Sequence, residues 1–350
     1  MIFLRKRAHL LQRIVYFFFL FACSSIVLVL FLRHGGVNND KRFTFTDMVN
    51  GTAYKPFVYR TFLPSTVRII SAITPAEAQR AVSFAVDRNQ ALERIFENLR
   101  WRTSAAYEYA VMSLLMLMSF IAFGHYAAKL TMKVCGMGQS MFAQTLMSAA
   151  LLMGVPLFFK YNSNPYDPPQ LFLFTLALYF LSGLQLWPFV ITFAVATINK
   201  ETAILLIPIF LVRFTGGQNF SRKYVWISLL LGGYYILVKL LLAYLFRANA
   251  GGFVELHLVG NVLLLESTSM ESPISIWMIL LMLSLYGWND KPQFYRTSFL
   301  FIFPPLLLLA LFFGNINEWR IYYEVYPIVF GMVLHSILRM KRELALKPQE

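Results

Sequence analysis

Hydrophobic residues occur along this chain in long blocks that short polar segments separate. A helix needs roughly 20 mostly apolar residues to cross a bilayer, and several of the blocks reach that length. The pattern predicts an all-α polytopic membrane protein with about ten transmembrane helices. The predicted spans are residues 14–32, 105–127, 140–159, 169–183, 186–199, 201–213, 224–246, 273–287, 297–313 and 320–338.

The interval 169–213 is open to two interpretations, because few polar residues interrupt it. It could form three short crossings or two longer ones. Periodicity does not decide between them, but charge does. The first span follows four basic residues, Arg5, Lys6, Arg7 and Arg13. The positive-inside rule therefore places the N-terminus in the cytoplasm. Three crossings then put fifteen of the 31 basic residues, and both termini, on the cytoplasmic side.

The largest segment between predicted spans is an extracytoplasmic loop of residues 33–104. Apolar residues recur in it at helical spacing, opposite a charged face, which is typical of helices that lie in a membrane interface. Thr74, Pro75 and Glu77 predict a capping box at the start of one of them. No segment is long enough for a separate core, so we expect a single membrane domain over 1–350, with a cytoplasmic tail at 339–350.

Composition agrees with a membrane protein, since 58% of the residues are hydrophobic and only 14% are charged. A soluble globule would expose far too much apolar surface at these values. The net charge of +14 could indicate nucleic acid binding, but the basic residues flank spans instead of forming a soluble face. No nucleic acid partner is therefore expected. Cys23 lies in a span and Cys135 in a loop, so neither a disulfide nor a cysteine metal site is predicted.

Acidic residues are distributed unevenly across the predicted topology. Only Asp290, Glu343 and Glu350 of the seventeen fall on the cytoplasmic side, and the other fourteen fall outside. Ionisable groups at span ends cost several kcal/mol unless they are paired or hydrated, which makes repeated carboxylates at one face a functional hypothesis. The sequence thus predicts chemistry at the extracytoplasmic face.

Asp47 stands among aromatic residues shortly after the first span, ahead of Tyr59 and Arg60. A carboxylate held just above the bilayer could take a proton from a sugar hydroxyl as a general base. The alternative is an ordinary solvated loop aspartate. Asp40 competes for the same role, although it lies beside Lys41 and Arg42.

Two polar segments between later spans supply further candidates. Asp167, in a proline-rich turn, is predicted near the start of a span, where it could bind substrate or cap the helix. Asn199, Lys200 and Glu201 interrupt an apolar stretch, and a lysine beside a glutamate could bind phosphate or sugar hydroxyls. A short turn between spans would need polarity in any case.

The last outer turn contains Glu318, Arg320 and Glu324 in aromatic surroundings. We expect Glu318 to be a catalytic candidate and the other two to bind substrate. The alternative for Glu324 is an ion pair with Arg320, four residues earlier on one helix face. Lys239, inside a predicted span, would either extend to the surface or pair with such a carboxylate.

Together these residues resemble the scattered signatures of bacterial membrane glycosyltransferases of the GT-C superfamily. The likeness covers most of the chain in order, through short motifs. It is carried by Asp47 soon after the first span, Tyr59-Arg60 followed by Leu63-Pro64, Asp167-Pro-Pro, Asn199-Lys-Glu201 and Asn317-Glu-Trp-Arg320.

The resemblance implies an enzyme of the bacterial inner membrane that serves assembly of the cell envelope. Its donor would be a polyprenyl-phosphate-linked sugar, its acceptor a glycan or lipid, and transfer would invert the anomeric carbon at the outer face. Asp47 would be the base, and Arg60, Lys200 and Arg320 would neutralise the departing lipid phosphate. Fixed cations stabilise such a charge well in a partly dry site. A divalent cation could do the same, although no motif specifies a metal site.

A flippase or transporter for a lipid-linked saccharide, or a polymerase of the same pathway, is the rival interpretation. A transporter places charged groups near the bilayer midplane, at the interface of paired repeats. Most candidate charges here lie at the outer ends of predicted spans, and Lys239 is the main exception. This distribution favours the enzyme.

Overall fold

The computed structural model describes residues 2–35, 37–38, 40–138, 140–159, 164–216, 221–252, 256–266, 273–316 and 318–345. Helix accounts for 81% of the structure, and these residues contain no strand. The first seven α-helices are α1 (Ile2–Gly35), α2 (Phe45–Asn50), α3 (Phe62–Ile73), α4 (Ala76–Arg88), α5 (Gln90–Asn98), α6 (Ala106–Val134) and α7 (Met141–Gly154). The next eight are α8 (Asp167–Ser182), α9 (Leu186–Asn199), α10 (Leu206–Thr215), α11 (Arg222–Leu245), α12 (Leu258–Glu266), α13 (Pro273–Leu285), α14 (Gln293–Phe313) and α15 (Tyr326–Ala345).

Within this part of the chain, five helical segments are long and apolar enough to cross a membrane. They are Leu10–His34, Thr103–Val134, Met141–Phe158, Arg222–Leu245 and Gln293–Phe313. The prediction of an all-α integral membrane protein is confirmed at this level. The predicted count of about ten crossings is not established by these five helices and stays a prediction.

The ambiguous interval 169–213 forms three helices. α8 ends at Ser182, α9 ends at Asn199, and a 3-10 turn over Glu201–Leu205 leads into α10. Lys200 separates α9 from that turn because its backbone is extended, at φ −152° and ψ 149°. At 16, 14 and 10 residues, each of these helices is shorter than the roughly 20 residues of a typical span.

The core is built around α6, which contacts α1, α7 and α8. Fully buried aromatic side chains on α6, including Phe120 and Phe123, fill the space between these helices. A second contact between neighbouring helices needs a glycine. Gly331 of α15 lies against the buried Tyr295 ring of α14, and an added Cβ would overlap that ring.

At each end of the helical bundle, hydrogen bonds and ion pairs connect loops that are distant in the sequence. At one end, Asn249 Nδ2 donates to the Ala53 carbonyl at 2.9 Å, and Arg60 pairs with Glu201. At the other end, Arg213 Nη2 donates to the Ser182 carbonyl at 3.1 Å, and Arg339 pairs with Asp290. Loops that the charge pattern assigns to one membrane face therefore contact each other.

Residues 33–104 contain α2 to α5, and several apolar side chains there are exposed. Ile69 is 63% and Ile73 is 76% exposed, whereas Leu63 and Val67 of the same helix are buried. The location of these helices at a membrane surface stays a prediction. The capping box expected at Thr74 was wrong, because Thr74 Oγ1 donates back to the Ile70 carbonyl at 2.8 Å. A capping box forms instead between Thr44 and Asp47, at the start of α2.

Candidate functional site

The candidate site is a group of charged side chains that four chain segments bring together at one end of the bundle. We call it the Lys200 network, and its members are Arg60, Asp167, Lys200, Glu201, Glu318, Arg320 and Glu324. Asp167 begins α8, where Pro168 and Pro169 occupy the first turn and favour helix initiation. Lys200 and Glu201 follow α9, while Glu318, Arg320 and Glu324 precede α15.

Lys200 lies between two buried carboxylates. Its Nζ is 3.2 Å from Glu324 Oε1 and 3.7 Å from Asp167 Oδ1, and both carboxylate side chains are fully buried. Thr202 Oγ1 also donates to Glu324 Oε1, at 2.5 Å. Charges this deep persist only when they are paired, so the three side chains depend on each other.

Arg320 connects a second pair of carboxylates. Its Nη1 lies 3.5 Å from Asp167 Oδ2, and its Nη2 lies 3.0 Å from Glu318 Oε2. Asp167 therefore faces Lys200 with one oxygen and Arg320 with the other. Asn315 Nδ2 donates to Glu318 Oε1 at 3.0 Å, which fixes the outer carboxylate of the set.

Arg60 ties the loop of residues 33–104 to the helices. Its Nη2 and Nε lie 2.6 Å and 3.4 Å from the two Glu201 carboxylate oxygens. The guanidinium stacks on the Tyr166 ring, 4.4 Å from its centroid, and also donates to the Tyr166 hydroxyl. Burial alone would lower the pKa of Arg60, but the Glu201 carboxylate outweighs burial and raises that pKa above its usual value.

A layer of neutral polar residues supports the charged ones. Asn199 Nδ2 donates to the Tyr166 carbonyl and to Gln170 Oε1, both at 3.0 Å. Gln170 Nε2 in turn donates to Thr202 Oγ1 at 3.2 Å. Asn199 and Gln170 are completely buried. The layer links the ends of α8 and α9 and positions Thr202 against Glu324.

Four buried polar atoms of this region have no hydrogen-bond partner among the described residues. They are Asp167 Oδ1, Asn199 Oδ1, Glu324 Oε2 and Arg320 Nε. The great majority of buried polar atoms in proteins are hydrogen-bonded. Four such atoms lie in this one cluster, so the network has hydrogen-bonding capacity that the described residues do not use.

The structure brings together most of the residues that the sequence nominated. Seven of them form ion pairs in the network, and Asn199 contacts it through Tyr166 and Gln170. Two of the alternatives that the sequence left open were wrong. Glu324 pairs with Lys200 and not with Arg320, since residues 319–322 form a 3-10 turn and α15 begins only at Tyr326. The side chain of Asp167 does not cap α8. Lys200 pairs with Asp167 and Glu324, whereas Glu201 pairs with Arg60.

Asp47 belongs to a local capping box, and it forms no ion pair with the network in the described part of the chain. Asp47 Oδ2 accepts from the Thr44 hydroxyl at 2.5 Å and from the Thr44 backbone N–H at 3.3 Å. The next residue, Met48, packs in a buried cluster that includes Tyr166, with Tyr59 at its edge. The residue after Asp47 thus packs in the same cluster as Tyr166, and Asp47 Oδ1 is not used by the capping box.

Asp40, the competing candidate, is already paired. Arg42 Nη2 lies 2.8 Å from its Oδ2. Burial raises the pKa of Asp40, but the hydrogen bonds and charge of Arg42 outweigh burial and lower it. Lys239 forms no ion pair among the described residues either, because its Nζ donates to the Thr197 carbonyl at 2.8 Å.

Sequence reasoning missed Tyr166, Gln170 and Thr202 as parts of the site. One signal for Gln170 was its spacing, since it lies three residues after Asp167 and shares a helix face with it. Thr202 follows Glu201 directly, but nothing in the sequence places it against Glu324. Asn317 and residues 161–163, which belong to the nominated segments, lie outside the described residues.

Over the part of the chain that the structure describes, no group of three or more His, Cys, Asp or Glu side chains is placed to hold a metal ion. Comparisons with models of protein families, with curated proteins and with solved structures found no match to this chain. The geometry of the site is therefore the basis for a functional assignment.

Proposed function

We propose that the chain is a membrane glycosyltransferase. It transfers a sugar from a polyprenyl-phosphate-linked donor to a glycan or lipid acceptor at the extracytoplasmic face, with inversion. The proposal includes about ten crossings, interfacial helices in residues 33–104, cytoplasmic termini and a bacterial inner membrane. Its substrates are the sugar donor, the acceptor and the surrounding membrane lipid.

The observation that supports the proposal most is the buried Lys200 network at one end of an apolar helical bundle. Buried charge is costly in a membrane protein, and it usually marks a functional site. The network faces the loop that carries Asp47, and residues from that loop, Arg60 and Phe57, are part of its surroundings. A lipid-borne donor could thus present its head group where the polar residues meet.

In the proposed reaction, a hydroxyl oxygen of the acceptor attacks the anomeric carbon of the donor sugar. The bond between that carbon and the phosphate oxygen breaks, its electron pair stays with the lipid phosphate, and the base takes the hydroxyl proton. Asp47 is the proposed base, because its Oδ1 is available beside the network. Glu318, whose carboxylate is 17% exposed and faces Arg320, is the second proposed catalytic residue, while Tyr59 and the remaining members bind substrate.

Asp47→Asn tests the proposal, because the amide keeps an oxygen for the capping box but cannot accept the proton. We expect turnover of polyprenyl-phosphate sugars in liposomes to fall at least a hundredfold, as general bases contribute 10²–10⁴-fold. Thermal unfolding should change little. Thr44→Ala is the matched control, since it removes the capping partner at a cost of about 1 kcal/mol and leaves the carboxylate in place.

Full activity in Asp47→Asn contradicts the assignment of the base. Equal losses in Asp47→Asn and Thr44→Ala would show that the capping box, and not the carboxylate, is what matters. The rival function has its own outcome in the same liposomes. If no donor is consumed and sugar lipids appear in the opposite leaflet, the chain is a flippase, which the lysine inside α11 would suit.

A further inference from the structure

The atoms of the Lys200 network that form no hydrogen bond include both acceptors and a donor. Together they indicate which hydrogen bonds a ligand at this site would donate and accept. Three are acceptors, namely Asp167 Oδ1, Asn199 Oδ1 and Glu324 Oε2, and one is a donor, Arg320 Nε. Asp167 Oδ1 forms no hydrogen bond but lies 3.7 Å from Lys200 Nζ, so its charge is already partly compensated. The three acceptor residues are at most 1% exposed. A group that satisfies these atoms must donate about two or three hydrogen bonds and accept one.

The charges of the network further limit the chemical class of ligand that could bind there. Arg60 is held by Glu201, Lys200 by Glu324 and Asp167, and Arg320 by Asp167 and Glu318. Three cations thus face four carboxylates, and each cation is already paired. A phosphate brings negative charge and few or no hydrogen-bond donors, so it matches neither the free atoms nor the charge balance.

A sugar ring matches both the atoms that lack hydrogen bonds and the charge balance of the network. Each hydroxyl carries one donor and two acceptor lone pairs, so a ring with several free hydroxyls can donate to the three oxygens and accept from Arg320 Nε. We propose that the Lys200 network binds the sugar of the donor through these atoms, and that the sugar is uncharged or cationic. The lipid phosphate then lies outside the network. This inference rests on the proposed function and says which half of the donor the network binds.

The first test varies the ligand and leaves the protein unchanged. The full-length chain in nanodiscs is titrated with farnesyl-phosphate-linked glucose, galactose, mannose and N-acetylglucosamine, and with farnesyl phosphate that carries no sugar. For the sugar that binds best, monodeoxy analogues follow. We expect removal of at least one hydroxyl to weaken binding about tenfold to a hundredfold, because a buried carboxylate loses its partner. The matching uronic acid should also bind more weakly, since it adds a negative charge.

The second test varies the protein. Glu324→Gln keeps the size of the side chain and removes the charge from the free acceptor. This variant should lower the affinity for the sugar-bearing lipid that binds best at least tenfold. It should change the affinity for farnesyl phosphate less than twofold. Glu343→Gln is the matched control at the opposite end of the bundle, where Glu343 pairs with Arg339, and it should change neither affinity.

Three outcomes would overturn the inference. If every deoxy analogue binds like its parent, the free atoms hold only internal water. If Glu324→Gln weakens the binding of farnesyl phosphate as much as the binding of the sugar-bearing lipid, the network binds phosphate. If the uronic acid binds more tightly, the charge argument is wrong.

The two proposals fail separately. Turnover of a donor whose deoxy analogues all bind like the parent would remove the inference and keep the transferase. Binding of a sugar lipid that depends on Glu324, without turnover of any donor, would keep the inference and remove the transferase.

Discussion

At the scale of single residues, Lys200 has the most constrained position in the molecule. It is 7% exposed and lies between two carboxylates that are buried completely. Breaking a buried ion pair by removing one partner costs far more than the pair contributes, because the remaining charge has nothing to balance it. Lys200 is therefore needed for folding whether or not it contacts substrate.

Lys200→Met should destabilise the protein by about 3–5 kcal/mol, since it leaves the buried carboxylate of Glu324 without a cation and leaves Asp167 with Arg320 alone. Thermal unfolding of the purified chain in detergent measures the loss. Adding Glu324→Gln to Lys200→Met should restore part of the stability, because it removes the carboxylate that has lost its cation. A double variant no more stable than Lys200→Met would contradict the pairing.

Sequence reasoning located the charged residues of the site but not their partners. The polar interruption at Asn199, Lys200 and Glu201 is visible in the sequence because apolar residues surround it. The pairing of Lys200 with Glu324 is not visible, since it depends on how helices 120 residues apart pack. Asp47 was recognised from its position after the first span, and its local role in a capping box was not.

At the scale of helices, α14 and α15 are held together by a close approach at Gly331. The Tyr295 ring lies where a side chain at residue 331 would begin, and that ring is fully buried. A buried ring cannot move aside without disturbing its neighbours.

Gly331→Ala should cost about 1–3 kcal/mol through overpacking, again measured by thermal unfolding in detergent. Gly232→Ala in α11 is the matched control, because a Cβ there meets no atom within 4 Å. That variant should be neutral or slightly stabilising, as alanine favours helix more than glycine does. Equal losses in both variants would show that the Gly331 contact has no special role.

Hydrophobic periodicity predicted the long helices better than the short ones. The stretch 224–246 became α11 at residues 222–245, because one long apolar block has a single reasonable interpretation. The interval 169–213 needed the positive charges to favour three helices over two. Hydropathy does not register the extended backbone at Lys200, which ends α9.

At the scale of the whole molecule, the Lys200 network gives the two ends of the bundle different characters. Both ends have basic residues, but the network lies at only one of them. The proposed transfer requires that end to face away from the cytoplasm. The loops that the charge pattern assigns to one membrane face contact each other, and a labelling experiment tests which side each set faces.

Glu77→Cys and Glu343→Cys, each made after Cys23 and Cys135 are replaced by serine, place one thiol at each end. In intact cells, a membrane-impermeant maleimide should label Glu77→Cys and not Glu343→Cys, because residues 33–104 are predicted to lie outside. Permeabilised cells should label both, which controls for accessibility. The reverse pattern would invert the topology and contradict an extracytoplasmic reaction.

The order of the Lys200 network along the chain has a consequence for biogenesis. Asp167 and Lys200 enter the membrane with the middle helices, whereas Glu324 and Arg320 are synthesised more than a hundred residues later. Until the last helix arrives, the carboxylate of Asp167 lacks one of its two cations and Lys200 lacks its nearer carboxylate. A chain cut short before residue 318 lacks Glu318, Arg320 and Glu324, so Lys200 keeps only the more distant of its two carboxylates and Asp167 keeps only Lys200. The network can therefore form completely only after residues 318–324 have been synthesised and have reached the earlier helices.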